Sequence, residues 1–387
     1  MQKTLLLFVG SYLPGTKSAG VTMSISNMCK YLAQSIHFKI ITRDRDIGEE
    51  TPYKNVELEK WTNYNEAEVF YSSEYIHSLK ALRTIINNTD FDAYYINGFY
   101  NIADNFRPML LYALHLIPRK PIIVAPRGIF SMGEFEKKRG LRAMYRCIIK
   151  TLLFGSRKNV FWHATAELEK EHIKSHFKNA NVFVLPNISN VEVSSRDMFP
   201  PKESGKIKIM FISRISGKKN ILFMLDVLGS VKGDIEMNFY GIIGSHEEEQ
   251  YWEECQEKIK TLPENVKCNY YGEVSHDEVK ELFEKHHLFF FPTMGENYGH
   301  VIAESLAYGC PVLLSDTTPW NMLEDYKAGW NIPLDNHQKY IDALQYAIDT
   351  TQEQWCEMSR SAQKVARDYI DRKKIVNDYT KVLGALL

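Results

Sequence analysis

Residues 286–320, HHLFFFPTMGENYGHVIAESLAYGCPVLLSDTTPW, constrain the fold more than any other part of the chain. Leu288, Phe289, Phe290 and Phe291 form an apolar run without alternation, as a parallel strand covered on both faces requires. Pro292, Thr293, Met294 and Gly295 end it. Glu296 therefore falls on a loop at the strand's carboxyl end, where open α/β sheets bind ligands. A helix is predicted over 298–308 with Gly309 as its stop, and 311–314 is the next buried strand. The helix N-terminus attracts anions. Glu296 before the helix and Glu304 within it can accept hydrogen bonds from sugar hydroxyls. The loop suits a ligand combining phosphate with sugar.

The same alternation runs through the whole chain. Strands are expected at 5–9, 38–42, 93–96, 122–125, 160–165 and 181–185, and helices at 21–34, 76–87 and 109–117. Residues 49–75 are polar and irregular and read as a surface excursion. Residues 189–206 lack periodicity and carry prolines, serines and mixed charge, the composition of a linker. Strands then resume at 207–212, 235–240, 266–271 and 328–332, with helices between and after them. The predicted fold class is α/β, with two successive doubly wound domains. The expected division is an N-terminal Rossmann-like domain at 1–190, a linker at 191–206 and a second Rossmann-like domain at 207–370. A terminal helix at 371–387 is expected to pack back toward the first domain.

A chain of 387 residues is long enough for two cores. Its formal net charge of −1 gives no reason to expect a nucleic-acid partner. Six scattered cysteines without a CxxC pair fit reduced thiols in a cytosol-like compartment and no zinc site. The apolar run at 5–9 is too short for a secretory signal core and reads as a first strand. No stretch approaches the ~18 apolar residues of a membrane span. Glycines at 10, 15 and 20 do not make the G-x-G-x-x-G dinucleotide fingerprint, which disfavours an oxidoreductase.

A second loop, Ser213-Arg214-Ile215-Ser216-Gly217-Lys218-Lys219-Asn220, also follows a buried strand and precedes a helix. Arg214 offers a planar fork for phosphate oxygens, and Lys218 or Lys219 a mobile charge. On the carboxyl edge of one sheet, this loop and the Glu296 loop would make a diphosphate site.

SRISGKKN followed by GENYGHVIAESLAYGCPV resembles a family 4 retaining glycosyltransferase of the GT-B fold, whose central signature is E-x7-E, here Glu296 to Glu304. Pro186-Asn187-Ile188, Tyr271-Gly272 and Thr318-Pro319-Trp320 support it. The resemblance covers the second half well and the first half loosely. It implies two Rossmann-like domains facing across a cleft, with a nucleotide-diphosphate sugar as co-substrate, UDP-sugar favoured and GDP-sugar possible, and no metal or other cofactor. The implied acceptor is a glycan or lipid-linked molecule in bacterial surface polysaccharide synthesis, with the protein in the cytoplasm, peripheral on the inner face of the membrane. A small-metabolite glycosyltransferase and a catalytically silent scaffold are the rival readings.

The resemblance also implies roles by position. Arg214 and Lys219 neutralise the leaving diphosphate. Glu296 holds donor-sugar hydroxyls, and Asn297 with the backbone of Tyr298, Gly299 and His300 faces sugar and phosphate. Glu304 accepts from the ribose. Tyr271, Gly272, Glu273 and Val274 lie near the base. Gly20 corresponds to a glycine near the diphosphate, where a double glycine is here Ala19-Gly20. A histidine usual after the fourth N-terminal strand is here Arg127, a contact for donor sugar or phosphate.

Asp44-Arg45-Asp46 and Asp90-Phe91-Asp92 have the spacing of the DxD metal motif, but each adjoins a strand end and reads as a turn. Residues 137–158 carry eight basic residues and no acidic ones, with apolar residues at helical spacing. This basic amphipathic helix suits either an anionic membrane surface or a domain core.

Overall fold

The computed structural model describes residues 2–15, 19–46, 48–73, 78–130, 139–153, 158–195, 197 and 199–387. It divides into one unit of Met1–Asn190 with Arg372–Leu387, and another of Val191–Asp371.

The first unit runs β1 (Lys3–Phe8), α1 (Ala19–Leu32), β2 (Ile36–Arg43), β3 (Thr62–Tyr64), β4 (Ala67–Ser72), α2 (Leu79–Asn87) and β5 (Ala93–Asn97). A π-helical turn (Ile102–Phe106) leads into α3 (Arg107–Ala113). There follow β6 (Ile122–Ala125), α4 (Arg139–Leu152), β7 (Val160–Ala164), α5 (Glu167–His176) and β8 (Asn181–Val184). The strands form an eight-stranded sheet in the order β3-β4-β2-β1-β5-β6-β7-β8. Every pairing is parallel except that of β3 with β4.

The polar stretch expected as a surface excursion instead supplies β4, which pairs with β2. Its sequence AEVFYS buries Ala67, Val69 and Tyr71 on one face and Phe70 and Ser72 on the other, so both faces of the strand are covered. The helix expected over 109–117 starts earlier, because Asn101 Oδ1 caps the π-helical turn by accepting from the N–H groups of Ala103 and Asp104.

The second unit runs β9 (Lys206–Ile212), α6 (Ile221–Leu228), β10 (Asp234–Tyr240), α7 (His246–Ile259), β11 (Val266–Tyr270), α8 (His276–Lys285) and β12 (Leu288–Phe291). It continues with α9 (His300–Ala307), β13 (Val312–Ser315), α10 (Leu323–Tyr326), β14 (Gly329–Ile332), α11 (His337–Asp349) and α12 (Gln352–Tyr369). The sheet order is β11-β10-β9-β12-β13-β14, all parallel. The apolar runs of β9, β12 and β13 are fully covered, as expected of strands flanked by helices on both faces.

Sequence order along this sheet reverses between β9 and β12. That switch point places the loops after these two strands side by side at the carboxyl edge. Residues 191–205 lie on the same unit. Lys202 is buried there and donates to the carbonyls of Ile348 and Thr350. The last helix, α13 (Arg372–Leu386), belongs to the first unit, with Ile375, Tyr379 and Leu383 buried in the core on that side of the sheet.

Candidate functional site

At the β9–β12 switch point the two loops are bonded to each other. Met294 N–H donates to the Lys218 carbonyl at 2.8 Å, and the Lys219 ammonium lies 4.7 Å from the Phe291 ring centre. Lys219 Nζ donates to Glu296 Oε2 at 2.9 Å, with side chains 16% and 22% exposed. Burial alone would raise the Glu296 pKa. Lys219, Lys218 and the Asn297 N–H outweigh it and hold the carboxyl below its ordinary value. Glu296 is therefore a carboxylate, an acceptor for hydroxyls and not a proton donor.

Arg214, on the same β9 loop, lies 3.7 Å from Glu248 Oε1 and is 45% exposed. Glu248 also accepts from the Gly244 N–H. The loop's conformation depends on Gly241. Its φ of 141° and the Ser213 carbonyl oxygen, 1.8 Å from where a Cβ would stand, exclude any side chain.

The chain enters α9 through Gly299, whose φ is 76°. Tyr298 is buried, and its carbonyl accepts from Trp320 Nε1 at 2.7 Å, which anchors the turn before the helix. The observed helix begins at His300, so the backbone at 298–300 sits at its positive end, beside Lys219 and Glu296.

Glu304 lies on α9 with its side chain 12% exposed. Burial pushes its pKa up to about 7. His276 Nδ1, at the start of α8, is 3.8 Å from Glu304 Oε1. Of the loop before α8, Tyr271 is exposed and stacks on Tyr240 at 5.1 Å and 13°. Gly272 accepts from the Gly241 N–H, which ties this loop to the one after β10. Glu273 is exposed and Val274 packs on the core.

In the first unit, Gly20 sits in the first turn of α1, is exposed, and has open space where a Cβ would be. Arg127 follows β6 with a left-handed φ of 59°. Its guanidinium donates to Asn97 Oδ1 at 2.7 Å, Asn187 Oδ1 at 2.7 Å and Tyr95 Oη at 2.9 Å. Beyond Tyr95 lies His163, fully buried, whose pKa burial and the Arg127 charge lower to about 3, so its ring is neutral.

Asp92 accepts from the Thr4 N–H and pairs with Lys3, and Asp44 pairs with Arg45. Among the described residues, no group of three or more His, Cys, Asp or Glu gathers as a metal site, and no helix is long and apolar enough to cross a membrane.

Residues 194–367 match the family model described as Glycosyl transferases group 1. The match spans most of the second unit, including Arg214, Lys219, Glu296 and Glu304. The fold is GT-B. The chain is similar to the Anabaena protein HepE, crystallised in complex with UDP-glucose, at 15% identity and a TM-score of 0.70 over 100% of both chains. It is also similar to WaaG, a glycosyltransferase involved in lipopolysaccharide biosynthesis, at 12% identity and a TM-score of 0.66, covering 98% of this chain and 99% of that one. A Klebsiella pneumoniae protein described as an uncharacterized 41.2 kDa protein in the cps region is 24% identical over 178 residues. That match spans 46% of each chain.

Three contacts around these residues were not read from the sequence: the Lys219–Glu296 pair, His276 beside Glu304, and the Arg127 cradle. The basic loop and the E-x7-E spacing were each visible, but not that their side chains meet. Asn97 directly follows the strand expected at 93–96, and Pro186-Asn187 the one expected at 181–185. That position was the available signal for the Arg127 cradle.

Proposed function

We propose that the chain is a retaining glycosyltransferase of family 4 type that moves a sugar from a nucleotide-diphosphate sugar, UDP-sugar favoured, to a glycan or lipid-linked acceptor. The carrying observation is the 2.9 Å Lys219–Glu296 pair at the second sheet's switch point, beside the N-terminus of α9. A cation, an ionised hydroxyl acceptor and a helix N-terminus meet there, matching diphosphate and sugar in one ligand. Glu304, about one turn along α9, is assigned to the ribose hydroxyls, and the Tyr271–Val274 loop to the base.

In the reaction, the bond between the anomeric carbon and the phosphate oxygen breaks and its electron pair goes to the diphosphate. The acceptor hydroxyl oxygen bonds to that carbon, and its proton passes to the departing phosphate oxygen. Lys219, Arg214 and the α9 N-terminus stabilise the negative charge growing on the diphosphate, the kind of electrostatic stabilisation that dominates many enzyme barriers. Glu296 orients the sugar through its hydroxyls. No metal is assigned a part. Arg127 is a further contact to the donor sugar or phosphate.

The acceptor role in surface polysaccharide synthesis is favoured by the likeness to WaaG and to the protein in the Klebsiella cps region. A site at the inner face of the membrane fits α4. Leu141, Met144 and Ile148 are exposed on one face, beside the basic Arg142, Arg146 and Lys150. Residues 137, 138 and 154–157 of the basic stretch lie outside the described residues.

The test is incubation with UDP-, GDP- and ADP-sugars, following nucleotide release and the anomeric configuration of the product by NMR. Release from one donor with retained configuration is expected. No release from any of them would overturn the enzyme reading.

A further inference from the structure

Arg127 combines two unusual features. A non-glycine residue with φ of 59° occupies a sparsely populated backbone region, and such strain persists where surrounding structure enforces it, often at functional sites. Gly128 follows with φ of 75°, and its N–H donates to Glu169 Oε1 at 2.6 Å. The buried Glu169 holds the turn from α5, accepting with its other oxygen from the N–H and hydroxyl of Thr165. Three neutral oxygens hold the guanidinium, from Asn97, Asn187 and Tyr95. Of its five N–H groups, three are used and two remain, and among the described residues no carboxylate lies within 4.0 Å of it. Among the described residues it is a cation pinned in direction with no carboxylate paired to it.

The direction of the hydrogen bonds behind it can be assigned. His163 Nε2 lies 2.8 Å from the Leu185 carbonyl, which can only accept, so Nε2 carries the proton. Nδ1 is then an acceptor and takes the Tyr95 O–H at 2.6 Å. With its proton committed, Tyr95 Oη presents lone pairs to Arg127. The same His163 fixes Leu185, two residues before Asn187, so both the Tyr95 and Asn187 arms of the cradle rest on one imidazole. Tyr379, on α13, lies 3.2 Å from Nε2 and closes the network from the chain's last helix. Tyr95, His163 and Tyr379 are all buried, so water does not compete for these bonds.

We propose that Tyr95, His163 and Tyr379 are positioning residues that hold the Arg127 guanidinium, with its two remaining N–H groups, ready for an anionic oxygen of a substrate. The inference rests on the reading of Arg127 as a substrate contact. It makes the terminal helix part of the functional apparatus, through Tyr379.

The test measures kcat and KM for Tyr95→Phe, Tyr379→Phe, His163→Gln and His163→Leu, with Tyr95→Phe also made in an Arg127→Ala background. Tyr95→Phe should lower kcat/KM about tenfold, the scale for a hydrogen bond to a charged group. It should cost nothing further once Arg127 is gone, because the pair acts as a unit. Tyr379→Phe should have a smaller effect in the same direction. His163→Gln, which can still donate and accept, should keep more activity than His163→Leu. An equal loss from Tyr95→Phe in both backgrounds, or no loss in either, overturns the proposal.

If the wild-type chain transfers no sugar, the proposed function fails and the network is read by NMR of arginine side chains instead, with Arg127→Lys for assignment. A slowly exchanging Arg127 Nη2–H, the donor to Tyr95, whose exchange quickens about tenfold in Tyr95→Phe supports the proposal. Unchanged exchange overturns it.

Discussion

Lys219 Nζ and Glu296 Oε2 stand 2.9 Å apart, joining two loops that are 77 residues apart in sequence and adjacent only at the switch point of the sheet. Removing one partner leaves the other charge largely buried and unmatched. Lys219→Met should therefore destabilise the chain by about 2 kcal/mol. Adding Glu296→Gln should recover most of that loss. Chemical denaturation of the two single variants and the double variant checks this, and an additive double variant would show the pair to be uncoupled.

Glu304 gives a pH dependence with a definite sign. Its pKa is raised by burial from an ordinary 4.5 to about 7, so the folded chain keeps a proton that the unfolded chain loses. The associated stability is complete below about 4.5 and is lost as pH rises through about 7. Glu304→Gln should raise the melting temperature relative to wild type at pH 8 and have little effect at pH 4.5. Donor affinity should run the other way, rising through pH 7 as the carboxylate becomes available to ribose hydroxyls. His276 and Tyr308 face the same carboxyl, so the titration is to be repeated in His276→Ala.

Gly299 is a position where a methyl group has a stated cost. At φ 76° an added Cβ would meet Ile302 Cδ1 at 2.7 Å and Glu296 Cγ at 3.1 Å. Gly299→Ala should cost about 1–2 kcal/mol for the left-handed backbone alone. It should also weaken donor binding by displacing Glu296. Denaturation and nucleotide titration of the same sample separate the two effects.

The fold class was legible because its signal is local. Continuous apolar runs such as Phe289-Phe290-Phe291 and Val312-Leu313-Leu314 announce covered parallel strands, and turn residues follow each one. β4 escaped because its short run Val69-Phe70-Tyr71, though covered on both faces, lies in a stretch otherwise rich in polar residues. The residue types at the switch point were visible through the E-x7-E pattern and the basic loop. Their pairing was not, since Lys219 and Glu296 looked like contacts to different parts of one ligand. The Arg127 cradle draws on Tyr95, Asn97, Asn187 and, through His163, Tyr379. No spacing rule links strand ends that meet only across a folded sheet.

The exposed stripe on α4 makes a prediction for membranes. Leu141, Met144 and Ile148 are 62%, 57% and 40% exposed and recur at helical spacing. Wild-type chain should sediment with vesicles containing phosphatidylglycerol, and less so with neutral vesicles or at high salt. Leu141→Asp with Met144→Asp should abolish sedimentation while leaving nucleotide binding intact. Equal sedimentation of the variant would remove α4 as the contact.

The most direct measurement is calorimetric titration of a UDP-sugar, and of UDP alone, into wild type and Lys219→Ala. Wild type should bind both, and Lys219→Ala should lose at least tenfold in affinity for each, the scale of one charge-assisted contact to phosphate. Equal affinity in the two proteins, or no binding by folded wild type of UDP-, GDP- or ADP-sugars, would contradict the assignment of the Lys219–Glu296 loops as the donor site.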